Sequence, residues 1–212
     1  MALMPAADST FEFDGRQLVV RELAPTTTDA RQLLTLTNRV AGEGWLGIDS
    51  LAAGVDEARL FISRSLGHGS ILLGLFDGDR LIGHLGIDRI AEGGCSFGCS
   101  SSVTGTLVLF LDKPYRGGGL GYQLLARGCR LARECGFHKL WVATRADNKA
   151  AIGLYHKLGF RPVPSSSTSS TSSASSASSA SSASSASPTS PAALGPLASP
   201  GSPAVIYLET VL

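Results

Sequence analysis

Residues 107–121 read LVLFLDKPYRGGGLG, from Leu107 to Gly121. The apolar run reads as a buried strand, and a Pro-containing bend follows it. Leu120, Leu124, Leu125, Gly128, Leu131, Ala132 and Cys135 then recur at helical spacing. A strand, a glycine turn and a helix N-terminus in that order make an anion cradle. The first helical N–H groups have no intrahelical partner, and the helix dipole puts partial positive charge there. Gly117, Gly118, Gly119 and Gly121 carry no Cβ, so the backbone can approach a ligand closely. The ligand this chemistry suits is a phosphate ester. A Walker loop is excluded, because Tyr122 and Gln123 follow Gly121 where Lys and Ser or Thr would be needed. The dinucleotide fingerprint is missing in this register, and no acid stands about 20 residues on to hold a ribose. On these residues alone an ordinary glycine turn remains an alternative.

Composition narrows the class. The 212 residues are 43% hydrophobic and 17% charged with a net charge of +1, which offers no electrostatic footprint for nucleic acid or an anionic membrane. No apolar run approaches the roughly 20 residues of a membrane span. MALMPAADSTFEFDG has neither a basic nor an apolar leader region, so no targeting peptide is expected and the location expected is cytoplasmic. Cys95 and Cys99 make a poor zinc half-site without a second pair or a nearby His, and all four cysteines are expected to be reduced thiols, with no metal.

Outward from the glycine turn, the periodicities alternate. Gln17–Leu23 reads as a first strand, and Thr26–Asp29 offers cap chemistry for a helix to about Ala41. Residues 43–49 are a glycine-broken loop, and a second helix begins at Asp56. Ser70–Phe76 and Arg80–Asp88 flank Asp77-Gly78 as a hairpin, and Ala91–Gly105 reads as a loop. Gly136 closes the helix after the glycine turn. Lys139–Thr144 is a strand, Asn148–Leu158 a short helix capped by Gly159, and Phe160 opens another strand. Residues 165–203 contain no charged and no aromatic residue and repeat Ser-Ser-Ala, a composition that cannot offset its ordering entropy. Ala204–Val211 regains β character, which makes sense if it returns to the same sheet. The chain is therefore expected to be a single domain over 1–212, folded over about 16–164 and 204–212, with 165–203 a disordered Ser/Ala/Pro insertion before the last strand.

Two motifs in register carry a resemblance. Arg116, Gly119 and Gly121 match Arg/Gln-x-x-Gly-x-Gly/Ala, and ATRADNKAAIGLYHKLGFRPV, with Asn148, Ala151, Tyr155, Gly159 and Phe160, matches a closing motif. Both are similar to the GNAT N-acetyltransferase superfamily, and the likeness extends over most of the chain. The fold it implies is an α/β (α+β) acyl-CoA N-acyltransferase fold, a mixed central sheet flanked by helices. The activity it implies is transfer of an acetyl group from acetyl-CoA to a primary amine, by direct attack in a ternary complex. The glycine loop would hold the diphosphate through the N–H groups of Gly117 to Gly121, including Leu120, helped by Arg116. Phe110 and Leu111 would contribute main-chain groups to the pantetheine arm. Tyr155 would protonate the departing thiolate, its phenol having a reference pKa of about 10 against about 8.5. Asn148 would sit at the cofactor as well as cap its helix.

The general base is the weak point. Many members of the family this chain resembles carry a Glu early on the anchor strand where it has Thr104 and Thr106, and neither deprotonates an ammonium. A water chain, Glu43, Asp49 or His84 stands in its place. Glu43 and Trp45 lie where the family admits its acceptor, and an acid beside an aromatic suits a cationic amine. The acceptor expected is a small-molecule amine, with a protein N-terminus or lysine as a rival, and the chain is expected to be a monomer or homodimer. A non-catalytic CoA-binding sensor is the reading from a different class, favoured by the missing strand acid and the Ser-rich segment.

Overall fold

The computed structural model describes residues 9–44, 54–90, 103–163 and 204–212. In chain order these form β1 (Ser9–Phe13), β2 (Arg16–Glu22), α1 (Thr27–Ala41), α2 (Val55–Gly67), β3 (Ile71–Asp77) and β4 (Arg80–Ile90). They continue as β5 (Val103–Leu111), a 3-10 turn (Lys113–Tyr115), α3 (Leu120–Glu134), β6 (Phe137–Arg145), α4 (Lys149–Lys157), β7 (Arg161–Pro162) and β8 (Val205–Val211). One sheet takes every strand in the order β1-β2-β3-β4-β5-β6-β8-β7, and only β5 and β6 are parallel.

The helices divide between the two faces. Leu120, Leu124, Leu125 and Ala132 of α3 and Tyr155 of α4 share one core with Leu85, Leu107, Leu111 and Leu140. Leu33, Leu36 and Val40 of α1 and Ala58 and Ile62 of α2 share the other with Leu72, Phe76 and Phe110. Strand alternation sorts Phe110 to one face and Leu111 to the other. α1 starts where expected: Thr26 accepts from the Asp29 N–H at 3.2 Å. Asp29, itself buried, then takes two 2.7 Å bonds from Arg21 and one of 2.8 Å from the Ala24 N–H. Burial opposes its charged form, but these donors outweigh the burial and hold the carboxyl below its usual range.

Two expectations change. β1 extends the sheet at an edge through a hairpin whose Asp14 and Gly15 both have positive φ, an Asp-Gly signal that reading from Gln17 passed over. β5 starts at Val103, so Val103–Gly105 belongs to the strand, and 91–102 lies outside the described residues. The 164–203 stretch, and with it the expected disordered insertion, also lies outside them, while β8 does return to the sheet, between β6 and β7. Among the described residues no helix is long and apolar enough to cross a membrane.

Candidate active site

The site begins where two parallel strands separate. β5 pairs with β6 only as far as Leu107 opposite Val142. β5 continues beside β4 to Leu111 opposite Gly83, and β6 beside β8 to Arg145 opposite Val205. From Val108 onward, one edge of β5 therefore has no neighbouring strand. The Asp112 N–H donates to the Ile82 carbonyl at 2.7 Å, which fixes the alternation. Phe110 turns its main chain toward His84 of β4, and Leu109 and Leu111 turn theirs into the gap. The Leu111 carbonyl agrees, since it accepts from Arg116 Nε at 2.8 Å rather than from β4. Of the two strand residues expected here, Leu111 thus offers main chain to the gap, and Phe110 packs its ring 5.3 Å from that of His84. Leu109 joins Leu111. Choosing between alternate residues needs the pairing partner, which an apolar run does not reveal.

Beyond Leu111 the chain turns sharply. Asp112 is buried and accepts from Arg39 of α1 at 2.5 Å, from Arg80 of β4 at 2.6 Å and from the Lys113 N–H at 3.0 Å. Sequence reasoning missed this anchor; its only signal was a lone acid ending an apolar run. The four glycines that follow serve three purposes. Gly117 and Gly119 have φ of 86° and 84° and open space where a Cβ would stand. A Cβ on Gly118 would lie 2.2 Å from Phe13 Cε2, so this glycine makes room for a ring, not for a ligand. At Gly121 a Cβ would stand 3.4 Å from Leu154 and 3.7 Å from Leu111, where α3, α4 and the end of β5 converge. Gly119 is the N-cap of α3, and the first bond within the helix runs from Gln123 N to Gly119 O at 3.1 Å. The amides of Leu120, Gly121 and Tyr122 have no intrahelical acceptor, and no acid sits in the first turn to repel an anion.

Arg116 does not point freely at this turn. Besides holding Leu111, it makes a two-pronged pair with Glu43, at 2.6 and 3.0 Å. On the other side of the gap Arg145, at the end of β6, donates to the Gly44 carbonyl at 2.9 Å and pairs with Asp147 at 2.6 and 3.0 Å. Residues 43 and 44, just past α1, are thus fastened to both separated strands. Trp45 and Asp49 lie outside the described residues.

α4 carries the closing motif. Asn148 is its N-cap, with Oδ1 accepting from the Ala151 N–H at 3.2 Å, which leaves the amide NH2 as the group able to donate outward. Tyr155 is 4% exposed, its ring 5.6 Å from that of Phe160, and burial holds its phenol above the ordinary value. Among the described residues its hydroxyl has no hydrogen-bond partner.

This combination can be set beside known proteins. The sequence profile described as Acetyltransferase (GNAT) family matches residues 43–160, more than half of the chain. The chain belongs to the GNAT acetyltransferase family. Among relatives of this GNAT chain is the N-alpha-acetyltransferase MAK3 of Arabidopsis thaliana, 36% identical over 53 residues, which are 25% of this chain and 28% of that one. The mycothiol acetyltransferase of Corynebacterium efficiens is 33% identical over 89 residues, 42% of this chain and 27% of that one. The match thus spans under a third of either relative's length. A solved structure, Salmonella typhimurium yncA with its cofactor acetyl-CoA, superposes with a TM-score of 0.57 at 20% identity, over 69% of this chain and 80% of that one. That likeness is one of fold.

The GNAT domain's own residues fit a CoA thioester. An unpaired strand edge leads to a turn with open space at Gly117 and Gly119 and to helix amides without acceptors, a fit for an extended amide-rich arm ending in a diphosphate. The bases offered by sequence fare less well. His84 is buried with Nδ1 3.0 Å from the Leu73 carbonyl, and burial lowers its pKa to about 4, so it is a neutral core residue at physiological pH. Glu43 is engaged by Arg116, and Thr104 is buried in β5. Cys129 is a half-buried thiol whose pKa burial raises to about 11, which suits a packing role. Among the described residues, no group of three His, Cys, Asp or Glu side chains could hold a metal ion.

Proposed function

We infer that this GNAT domain transfers an acetyl group from acetyl-CoA to a primary amine of a small molecule. The observation that carries the reading is the open β5 edge, Leu109 and Leu111, running directly into the glycine turn and the free amides of α3. Acetyl-CoA supplies the activated acyl carbon. The amides from Gly117 to Tyr122 hold its diphosphate. Leu109 and Leu111 align the arm through main-chain bonds, and a gap-facing N–H receives the charge that develops on the carbonyl oxygen. Tyr155 donates to the departing sulfur. Burial holds its phenol above the ordinary value, so full proton transfer to a thiolate of pKa near 8.5 is uphill and hydrogen bonding is its main contribution. Arg116 and Glu43, committed to each other, shape the acceptor's entrance, and the amine loses its proton to solvent.

A second reading, acetylation of a protein N-terminus, is favoured by the likeness to the Arabidopsis N-alpha-acetyltransferase. Thiol release from acetyl-CoA across a panel of amino acids, polyamines, aminoglycosides and short peptides separates the two. Turnover with free amines but not peptides supports the small-molecule acceptor, and the reverse overturns it. CoA binding without turnover on any amine would leave a sensor instead.

A further inference from the structure

Gly118 is solvent-exposed, yet it has less room for a side chain than its two neighbours in the turn. What fills that room is Phe13, the last residue of β1. Its Cε2 would be 2.2 Å and its Cδ2 3.0 Å from a Cβ placed on Gly118. The ring is itself propped: its centroid lies 5.9 Å from that of Tyr115, tilted by 39°. The Tyr115 hydroxyl donates to Asp77 at 2.7 Å, and Arg16, just past the β1–β2 turn, donates to the same oxygen at 2.9 Å. An edge hairpin outside the stretch matched by the family profile is thereby fastened both to the β3–β4 hairpin and to the middle of the glycine turn.

We propose that Phe13 is a positioning residue of the cofactor cradle, restraining the Gly117–Gly119 turn in its binding conformation before the nucleotide arrives. This rests on the reading of that turn as the diphosphate site. Three successive glycines are the most freely rotating backbone a chain can have, and ordering them at the moment of binding costs affinity. At Gly117 and Gly119 no atom lies within 4 Å of where a Cβ would stand, so no neighbouring side chain packs against them there. A rigid ring against the middle glycine limits the whole turn, and Tyr115 at its start packs on the ring and shares the Asp77 carboxylate with Arg16 of the hairpin that brings it. Preorganisation of this kind raises affinity without a single contact to the ligand.

The test is calorimetric titration of CoA into the full chain. Phe13→Ala weakens binding by about tenfold with a larger entropic penalty, and Phe13→Leu, which keeps apolar bulk, recovers most of the loss. Gly118→Ala also weakens binding, because its methyl meets the ring, and costs less in the Phe13→Ala background than alone. Affinity within twofold of wild type for Phe13→Ala, or losses that simply add in the double variant, would overturn the proposal. Should Phe13→Ala fail to fold, Asp77→Asn loosens Tyr115 and Arg16 without touching ring or glycines. It weakens CoA binding severalfold; unchanged affinity in it counts against the proposal. Gly119→Asp keeps the two readings apart. If it abolishes binding while Phe13→Ala does nothing, the diphosphate site stands and the role of Phe13 falls. If wild type itself fails to bind CoA, both fall.

Discussion

One oxygen distinguishes Tyr155 from the Phe160 it packs against, and that oxygen has no partner among the described residues although its ring is buried. The hydroxyl is not among the fully buried atoms that lack a partner, so it is able to donate to solvent or to a bound molecule. Tyr155→Phe preserves the ring packing, so it is expected to cut kcat by about 10²-fold while the Kd for CoA stays unchanged, with steady-state rates and calorimetry as the check. His84 shows the opposite outcome for a polar residue, its chemistry absorbed by the core. Its folded pKa of about 4 lies below the ordinary 6.5, so between those values the unfolded chain binds a proton that the folded chain does not. Stability therefore rises with pH across that window, and on acidification from neutrality to pH 4 this residue costs about 3 kcal/mol. Urea melts across that range should show the loss in wild type and a shallower slope in His84→Gln. His84 should correspondingly contribute no limb near the ordinary 6.5 to the pH–rate profile.

Each element owes its place to a few polar anchors set among apolar repeats. The α1 cap and its stripe of Leu33, Leu36 and Val40 were legible, because a side-chain cap and a 3.6-residue period are local properties. That Asp29 also fastens α1 to β2 through Arg21 was not, since the pair forms only when the helix lies on the sheet. Asp29→Ala should lower unfolding free energy by about 2–3 kcal/mol, measured by denaturant titration, as Arg21 and the Ala24 N–H lose their acceptor. At the end of β5, Asp112 draws guanidinium groups from α1 and β4. Asp112→Asn removes the counter-charge of those two cations and loosens the strand end from which the glycine turn departs. Both guanidinium groups are about half exposed and screened by solvent, so the expected cost is about 1 kcal/mol in a urea melt. For the turn itself, Gly119→Asp adds a strained φ and a negative charge at the helix N-terminus. CoA affinity in it should drop at least a hundredfold by calorimetry.

At the scale of the molecule, the sheet splits in the middle and closes again at its far edge. β7 and β8 run antiparallel with Pro162 opposite Leu208, and the Val163 N–H bonds the Tyr207 carbonyl at 3.0 Å, so the chain leaves and re-enters the sheet at neighbouring points. Loop closure costs only about 0.6 kcal/mol per doubling of length, which is why a long segment between these strands is tolerable. Replacing residues 165–203 by a ten-residue Gly/Ser linker, about two doublings shorter, should raise stability by about 1 kcal/mol and leave CoA affinity intact. A loss of the cooperative melt in that variant would show the segment to be part of the fold.

The sequence by itself determined the order of elements from β2 onward, the glycine turn ahead of α3, the cap of α4 and the family. All of these rest on spacing along the chain, and spacing survives in a linear string. Only the tertiary structure decided which strand residues face the gap, that Arg116 is held by Glu43, and that Gly118 makes way for Phe13. Those facts join residues tens or a hundred positions apart. Their energies come from charge and contact at a few ångströms, distances that exist only once the sheet has brought the partners together.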